Sequence, residues 1–410
     1  MEREAISVPS FDSPAHKADF LAEAYANKVP MPWMNGGMGV DFSNDSLVKA
    51  VMKERGIGTL AGSAIGAQDY YRDRPAEPGG FDERVERYHA ANETAMTRSI
   101  ESVRDEQPDG ILAVNIMAAM SDFRRMVDTV GKSEQVDLIC VGAGLPRELA
   151  KQMEQYPHMH YAPIVSSARA AKAMLKAGIR GGRLPAAFYV ELPQFAGGHL
   201  GAKDAADALD TEKFAPEKLL DEIRAVFKED GIREALEQAG RPDIPLILAG
   251  GIAYGEDISH AYSRGYDGVS LGTRLLLTEE SGMPDSTISD FYLNGGIQTE
   301  TGMASPAGLP SRYLKVSPVT DETATSIRQQ CISCIGSSHC QFQKPGGERD
   351  HYCIAKRLTA AGRGEPGSML FTGSCRDQIL SDPLYNQGGT IHIPNVRETM
   401  EFVFASKEAA

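Results

Sequence analysis

Eight short apolar runs recur along the chain between about residue 30 and residue 280, and helical patterns separate them. The runs fall near 31–35, 57–61, 110–116 and 136–141, then near 161–166, 185–191, 244–249 and 267–271. Most are continuously apolar instead of alternating. Strands buried on both faces read this way, as in a parallel sheet covered by helices. Between them, residues 44–55 place Leu47, Val48, Val51 and Met52 on one helical face, with Gly56 expected just past the end. A second helix is expected to start at Ser167 and to carry Ala170, Ala171, Met174 and Leu175, with Gly178 after it. Residues 216–238 give another amphipathic stretch through Leu219, Leu220, Ile223 and Val226. Eight strands with intervening helices predict an α/β fold of the (β/α)8 barrel (TIM) type, and the strand count separates it from an open doubly wound sheet.

A barrel of this kind uses residues 1–290. From there the rhythm stops, and residues 291–410 read as an irregular C-terminal extension that carries cysteines. Two connections, roughly 62–109 and 199–243, are long. On a barrel such loops sit over the active-site face, so lids or substrate walls are expected from them.

Charge narrows the partners. Lys and Arg number 42 against 56 Asp and Glu, a formal net charge of −14. That argues against nucleic acid and against an anionic membrane, both of which favour basic patches. No stretch has the apolar length of a membrane span, and the first twenty residues lack a signal-like apolar core. A cytoplasmic location is the expectation. Six cysteines suit it as thiols or metal ligands better than as a disulfide framework.

Glycine-rich turns mark the strand ends. N-G-G-M-G at 35–39 follows the first strand, where Gly36 and Gly37 let backbone approach a flat ligand and Met38 follows them. V-G-A-G at 141–144 offers the same at Gly142 after the fourth strand, and Asn115 ends the third. A-G-G-I at 249–252 and L-G-T-R at 271–274 follow the last two strands. Paired glycine turns there form a phosphate site, with Gly250, Gly251, Gly272 and Thr273 as candidate ligands. The pair specifies phosphate more sharply than it specifies any one cofactor. After the sixth strand comes A-G-G-H-L-G at 196–201, with Gly198 before His199. Imidazole titrates near neutrality, which suits proton transfer beside a redox centre. A lone histidine is more often structural; the place of this one over the barrel mouth favours chemistry.

The extension contains Cys331-x2-Cys334-x5-Cys340-x12-Cys353, with His339 and His351 nearby. These cysteines are candidate ligands for zinc or an iron–sulfur cluster; the alternative is a set of reduced thiols in a loop-rich tail. Cys140, inside the fourth strand, reads as packing.

Taken in order, the motifs resemble the nitronate monooxygenase (2-nitropropane dioxygenase) family. N-G-G-M-G, G-I-G-T-L, V-N-I-M, G-A-G-L-P, P-I-V-S-S, A-G-G-H-L-G, A-G-G-I-A-Y-G-E-D and L-G-T-R are similar to its successive strand ends over about 30–280. S-P-A-G-L-P-S-R at 305–312 continues the likeness into the extension. The resemblance implies an FMN-dependent oxidoreductase. It implies His199 as base or substrate-orienting residue, and FMN held by Gly36, Gly37, Met38, Asn115, Gly142, Gly198, Gly250, Gly251, Gly272 and Thr273. The implied substrates are an alkyl nitronate and dioxygen, with NAD(P)H in a related reading. A homo-oligomer is compatible with the reading. The sequence departs from the family at V-E-L-P-Q-F before A-G-G-H, with Leu192 and Pro193 and one extra residue, and at Asn35. Flavin-dependent enoyl-acyl carrier protein reductases share nearly all these motifs and form the nearest rival. A nucleotide dehydrogenase of the IMP dehydrogenase kind would need a nucleophilic cysteine where His199 stands. A non-catalytic flavin-binding or redox-sensing barrel is a third alternative.

Overall fold

The computed structural model describes residues 32–73, 79–316, 330–336, 340 and 353–405. Each predicted run contains a strand. These are β1 (Trp33–Asn35), β2 (Gly58–Ala61), β3 (Leu112–Met117), β4 (Leu138–Gly142), β5 (His160–Val165) and β6 (Phe188–Glu191). A two-residue strand, β7 (Gly198–His199), stands outside the barrel, and β8 (Leu246–Ala249) and β9 (Gly268–Leu271) complete it. The eight pair in the order β1-β9-β8-β6-β5-β4-β3-β2, all parallel. A parallel bridge between Met34 and Ile57 joins the two ends and closes the ring. Asn35 reinforces that seam. Its buried side chain accepts from the Thr59 N–H and donates to the Thr59 carbonyl, both at 2.7 Å, as a backbone rung would.

The continuous apolar runs have a simple origin. Alternate residues of each strand point to opposite faces, and both faces are buried. Met34, Ala113, Leu138, Cys140, Ala162, Tyr189 and Ile247 pack together as one cluster. Their chain neighbours Val114, Ile139, Val141, Phe188, Val190, Leu246 and Leu248 belong to the larger core shared with the helices. Cys140 is packing, as the sequence suggests, and burial pushes its thiol up to about 12.

Helix starts obey their capping residues. Asn44 Oδ1 accepts from Leu47 N at 2.9 Å, and Ser167 Oγ accepts from Ala170 N at 3.3 Å. Helix ends depart from expectation. The left-handed residue after helix Asp45–Lys53 is Arg55, with φ 66, not Gly56. Gly178 lies inside helix Ala168–Arg180, which runs on to Gly181. The stretch 216–238 is two helices, Pro216–Phe227 and Ile232–Gln238.

The extension lies against the barrel. Strands β10 (Thr299–Gly302) and β11 (Ser311–Leu314) make an antiparallel sheet with β7, in the order β10-β11-β7. Helix Val396–Ala405 packs on helices Asp45–Lys53 and Gly255–Arg264. The second core cluster joins Ile332, Ile335, Met369 and Leu370 to Val40, Phe42 and Tyr88. Deeper still, Arg274 Nη1 and Asp382 Oδ2 meet at 2.7 Å with both side chains buried. The rings of Tyr254, Tyr385 and Phe402 stand within 6 Å of that guanidinium. No helix among the described residues is long and apolar enough to cross a membrane.

Candidate active site

Parallel barrels gather ligands at the carboxyl ends of their strands, where the turns leave backbone exposed. A cavity of about 630 Å³ opens there. That is the size range of small-molecule and cofactor sites. Its lining includes Gly36, Gly37, Met38, Asn115, Gly142, Gly198, His199, Gly250, Gly251, Gly272 and Thr273, so the structure brings the sequence-derived candidates to one place.

The turn after β8 runs through Gly250 and Gly251 at φ 98 and 82, a region costly for any residue with a Cβ. The turn after β1 needs glycine for closeness. A Cβ at Gly37 would meet Asn115 Cβ at 2.1 Å. At Gly272 an added Cβ would find no neighbour within 4 Å, so backbone faces open cavity there. A phosphate-bearing planar group fits such a place: bare turns after the last two strands at one end, and glycine-lined turns after β1 and β4 for flat rings. These residues fit FMN. Thr273 departs in part from the simplest expectation, because its hydroxyl already accepts from Gly373 N of the extension at 2.8 Å.

His199 lies on the cavity wall. Its backbone pairs with Ser311 in the β7–β11 ladder. Its Nε2 is 2.6 Å from Ser305 Oγ, and the Phe371 ring stands edge-on at 5.1 Å. Desolvation pushes its pKa down to about 4, so the ring is neutral near pH 7. Glu191, at the end of β6, lines the same cavity. Burial drives its carboxyl up to about 7, against the pull of the Gly201 amide and the Arg312 charge. Arg312 itself is buried. Its guanidinium donates to the carbonyls of Pro193, Gln194 and Ala196, the loop that leads into the histidine turn.

Sequence reasoning does not assign Glu191, Ser305, Arg312 or Phe371 to the site. The segment 305–312 carries a family likeness, yet nothing in its spacing says which loop it grips. Among the described residues no group of three His, Cys, Asp or Glu side chains is set to hold a single ion. His339 and His351 lie outside the described residues.

Fold and site fit a flavin-dependent oxidoreductase on a (β/α)8 barrel. A family model described as nitronate monooxygenase matches residues 23–379. The chain belongs to the nitronate monooxygenase family. Among solved structures, FabK from Thermotoga maritima superposes with TM-score 0.62 at 17% identity, covering 98% of this chain and 96% of that one. A nitroalkane oxidase from Streptomyces ansochromogenes does so with TM-score 0.58 at 19% identity, covering 93% and 97%. At such identities the likeness is one of fold.

Sequence relatives match over shorter spans. A (3aS,4S,5R,7aS)-5-hydroxy-7a-methyl-1-oxo-octahydro-1H-indene-4-carboxyl-CoA dehydrogenase of Rhodococcus jostii is 42% identical over 77 residues, 19% of this chain and 22% of that protein. An inosine-5'-monophosphate dehydrogenase of Chlorobaculum tepidum is 36% identical over 136 residues, 31% and 27% of the two chains. The chain thus spans only about a quarter of those relatives' length.

Proposed function

We propose that the protein oxidises alkyl nitronates with dioxygen, and that His199 orients the substrate. The observation that carries this reading is the His199 imidazole, 2.6 Å from Ser305 Oγ on the wall of a glycine-lined cavity. A nitronate is an anion whose proton has already left. A ring that is neutral near pH 7 can donate a hydrogen bond to it without returning that proton. The depressed pKa therefore favours orientation over proton abstraction from a neutral nitroalkane, for which a stronger base is needed. The Gly250–Gly251 and Gly272–Thr273 turns would hold the FMN phosphate, and Gly36, Gly37, Met38, Asn115, Gly142 and Gly198 would border the rings. When bound, FMN supplies the electron transfer from substrate to dioxygen. The Phe371 ring stands edge-on to the histidine, and Phe195 lines the same cavity.

One observation favours a second reading, reduction of an enoyl thioester by NAD(P)H. The Rhodococcus relative that shares 42% identity over its matched span is named for a coenzyme A thioester. Anaerobic spectroscopy separates the two. Bleaching of the flavin band by an alkyl nitronate but not by NADH or NADPH, with oxygen uptake on admitting air, is the expected result. Bleaching by reduced nicotinamide alone would overturn the nitronate reading in favour of the reductase. A protein that cannot be loaded with FMN would remove both.

A further inference from the structure

The four cysteines at 331, 334, 340 and 353 take no part in the chemistry above, yet the fold collects them. The Cys331–Gly336 segment is tied to the turn after β3: Gly336 N donates to Ala119 O at 2.9 Å, and Ser121 N donates to Cys334 O at 3.2 Å. A bridge between Met120 and Ile335 adds to this. Cys340 is brought back by its N–H to the Gly336 carbonyl at 3.4 Å. Cys353 arrives from the other side, directly before helix Ile354–Ala361. Cys334, Cys340 and Cys353 pack within one cluster. The Cys334 thiol lies near enough to Cys331, Cys340 and Cys353 to interact with each electrostatically, and Cys353 likewise with Cys331 and Cys340.

Their grouping discriminates between metals. One tetrahedral zinc binds sulfur at about 2.3 Å, which draws the sulfurs into mutual contact. No three of these side chains are so placed among the described residues. A four-iron cluster differs, because each thiolate binds its own iron and the sulfurs stay apart around an inorganic core. The single C-x2-C with two further cysteines also departs from the paired C-x2-C of zinc ribbons.

We propose that Cys331, Cys334, Cys340 and Cys353 hold an iron–sulfur cluster in the wall of the cavity. Cys334, Ile335, Ile354 and Ala355 all line that cavity, so the cluster borders the space assigned to the flavin.

The test is elemental. The full chain is purified without oxygen, treated with ferrous iron and sulfide, and assayed for iron, acid-labile sulfide and zinc. Iron and sulfide in equal amounts, about four of each per chain, are expected. A paramagnetic resonance signal should appear on reduction. Cys331→Ser and Cys353→Ser should each lose most of the iron, while Cys140→Ser keeps it. One zinc per chain without sulfide would overturn the proposal. So would a metal-free wild-type chain whose circular dichroism shows it to be folded.

Discussion

At the scale of single residues, His199 and Glu191 share a cavity and are displaced from their ordinary values in opposite ways. Burial is the common cause, and it favours the uncharged form of each. His199→Ala should retain the flavin spectrum and lose about a hundredfold or more in turnover of a nitronate, measured by oxygen uptake. Glu191, with its carboxyl at about 7, changes charge within the working range. The nitronate is an anion, so ionised Glu191 should repel it. The rate at limiting substrate is expected to fall as pH rises through about 7, and Glu191→Gln should flatten that fall. Stability obeys the same displacements. The raised carboxyl contributes stability below its ordinary value of 4.5, lost as pH rises through about 7. The lowered imidazole contributes above its ordinary 6.5, lost as pH falls towards about 4.

Among elements, the histidine turn is held from beneath by one side chain. Three carbonyls of the loop 193–196 accept from the buried Arg312 guanidinium. Arg312→Ala leaves those acceptors without their donor, and about 3 kcal/mol of stability should go with it, read from denaturant unfolding. Arg312→Lys, which keeps charge but not the fork, should recover only part of that stability. The glycine turns were legible in the sequence because each carries its own geometric reason, as Gly250 and Gly251 do with their left-handed backbone. The strands were legible because burial on two faces writes a continuous apolar run. Arg312 and Ser305 were not, since a loop's grip on another loop over 100 residues away leaves no local period. The end of helix Asp45–Lys53 escapes the sequence for a related reason. Tertiary packing fills the room around Gly56, where an added Cβ would meet Val51 at 2.7 Å and Trp33 at 2.9 Å, and the left-handed turn falls to Arg55.

For the molecule as a whole, barrel and extension are joined by the buried pair Arg274 and Asp382. Both are buried, so removing one strands the other. Asp382→Ala should cost about 3–5 kcal/mol, measured as a lowered thermal midpoint and urea midpoint. Sequence showed where the βα rhythm ends. It did not show that the extension returns to the barrel mouth, because the returning contacts are between irregular segments. The β7–β11 ladder has a consequence in time. During synthesis the barrel's strands leave the ribosome first, and domains fold as they emerge. His199 is by then already translated, but Ser305, Ser311 and Phe371, which hold its ring and backbone, are not. A nascent chain stalled near residue 290 would own His199 without the means to aim it, and the site comes of age only as its extension arrives.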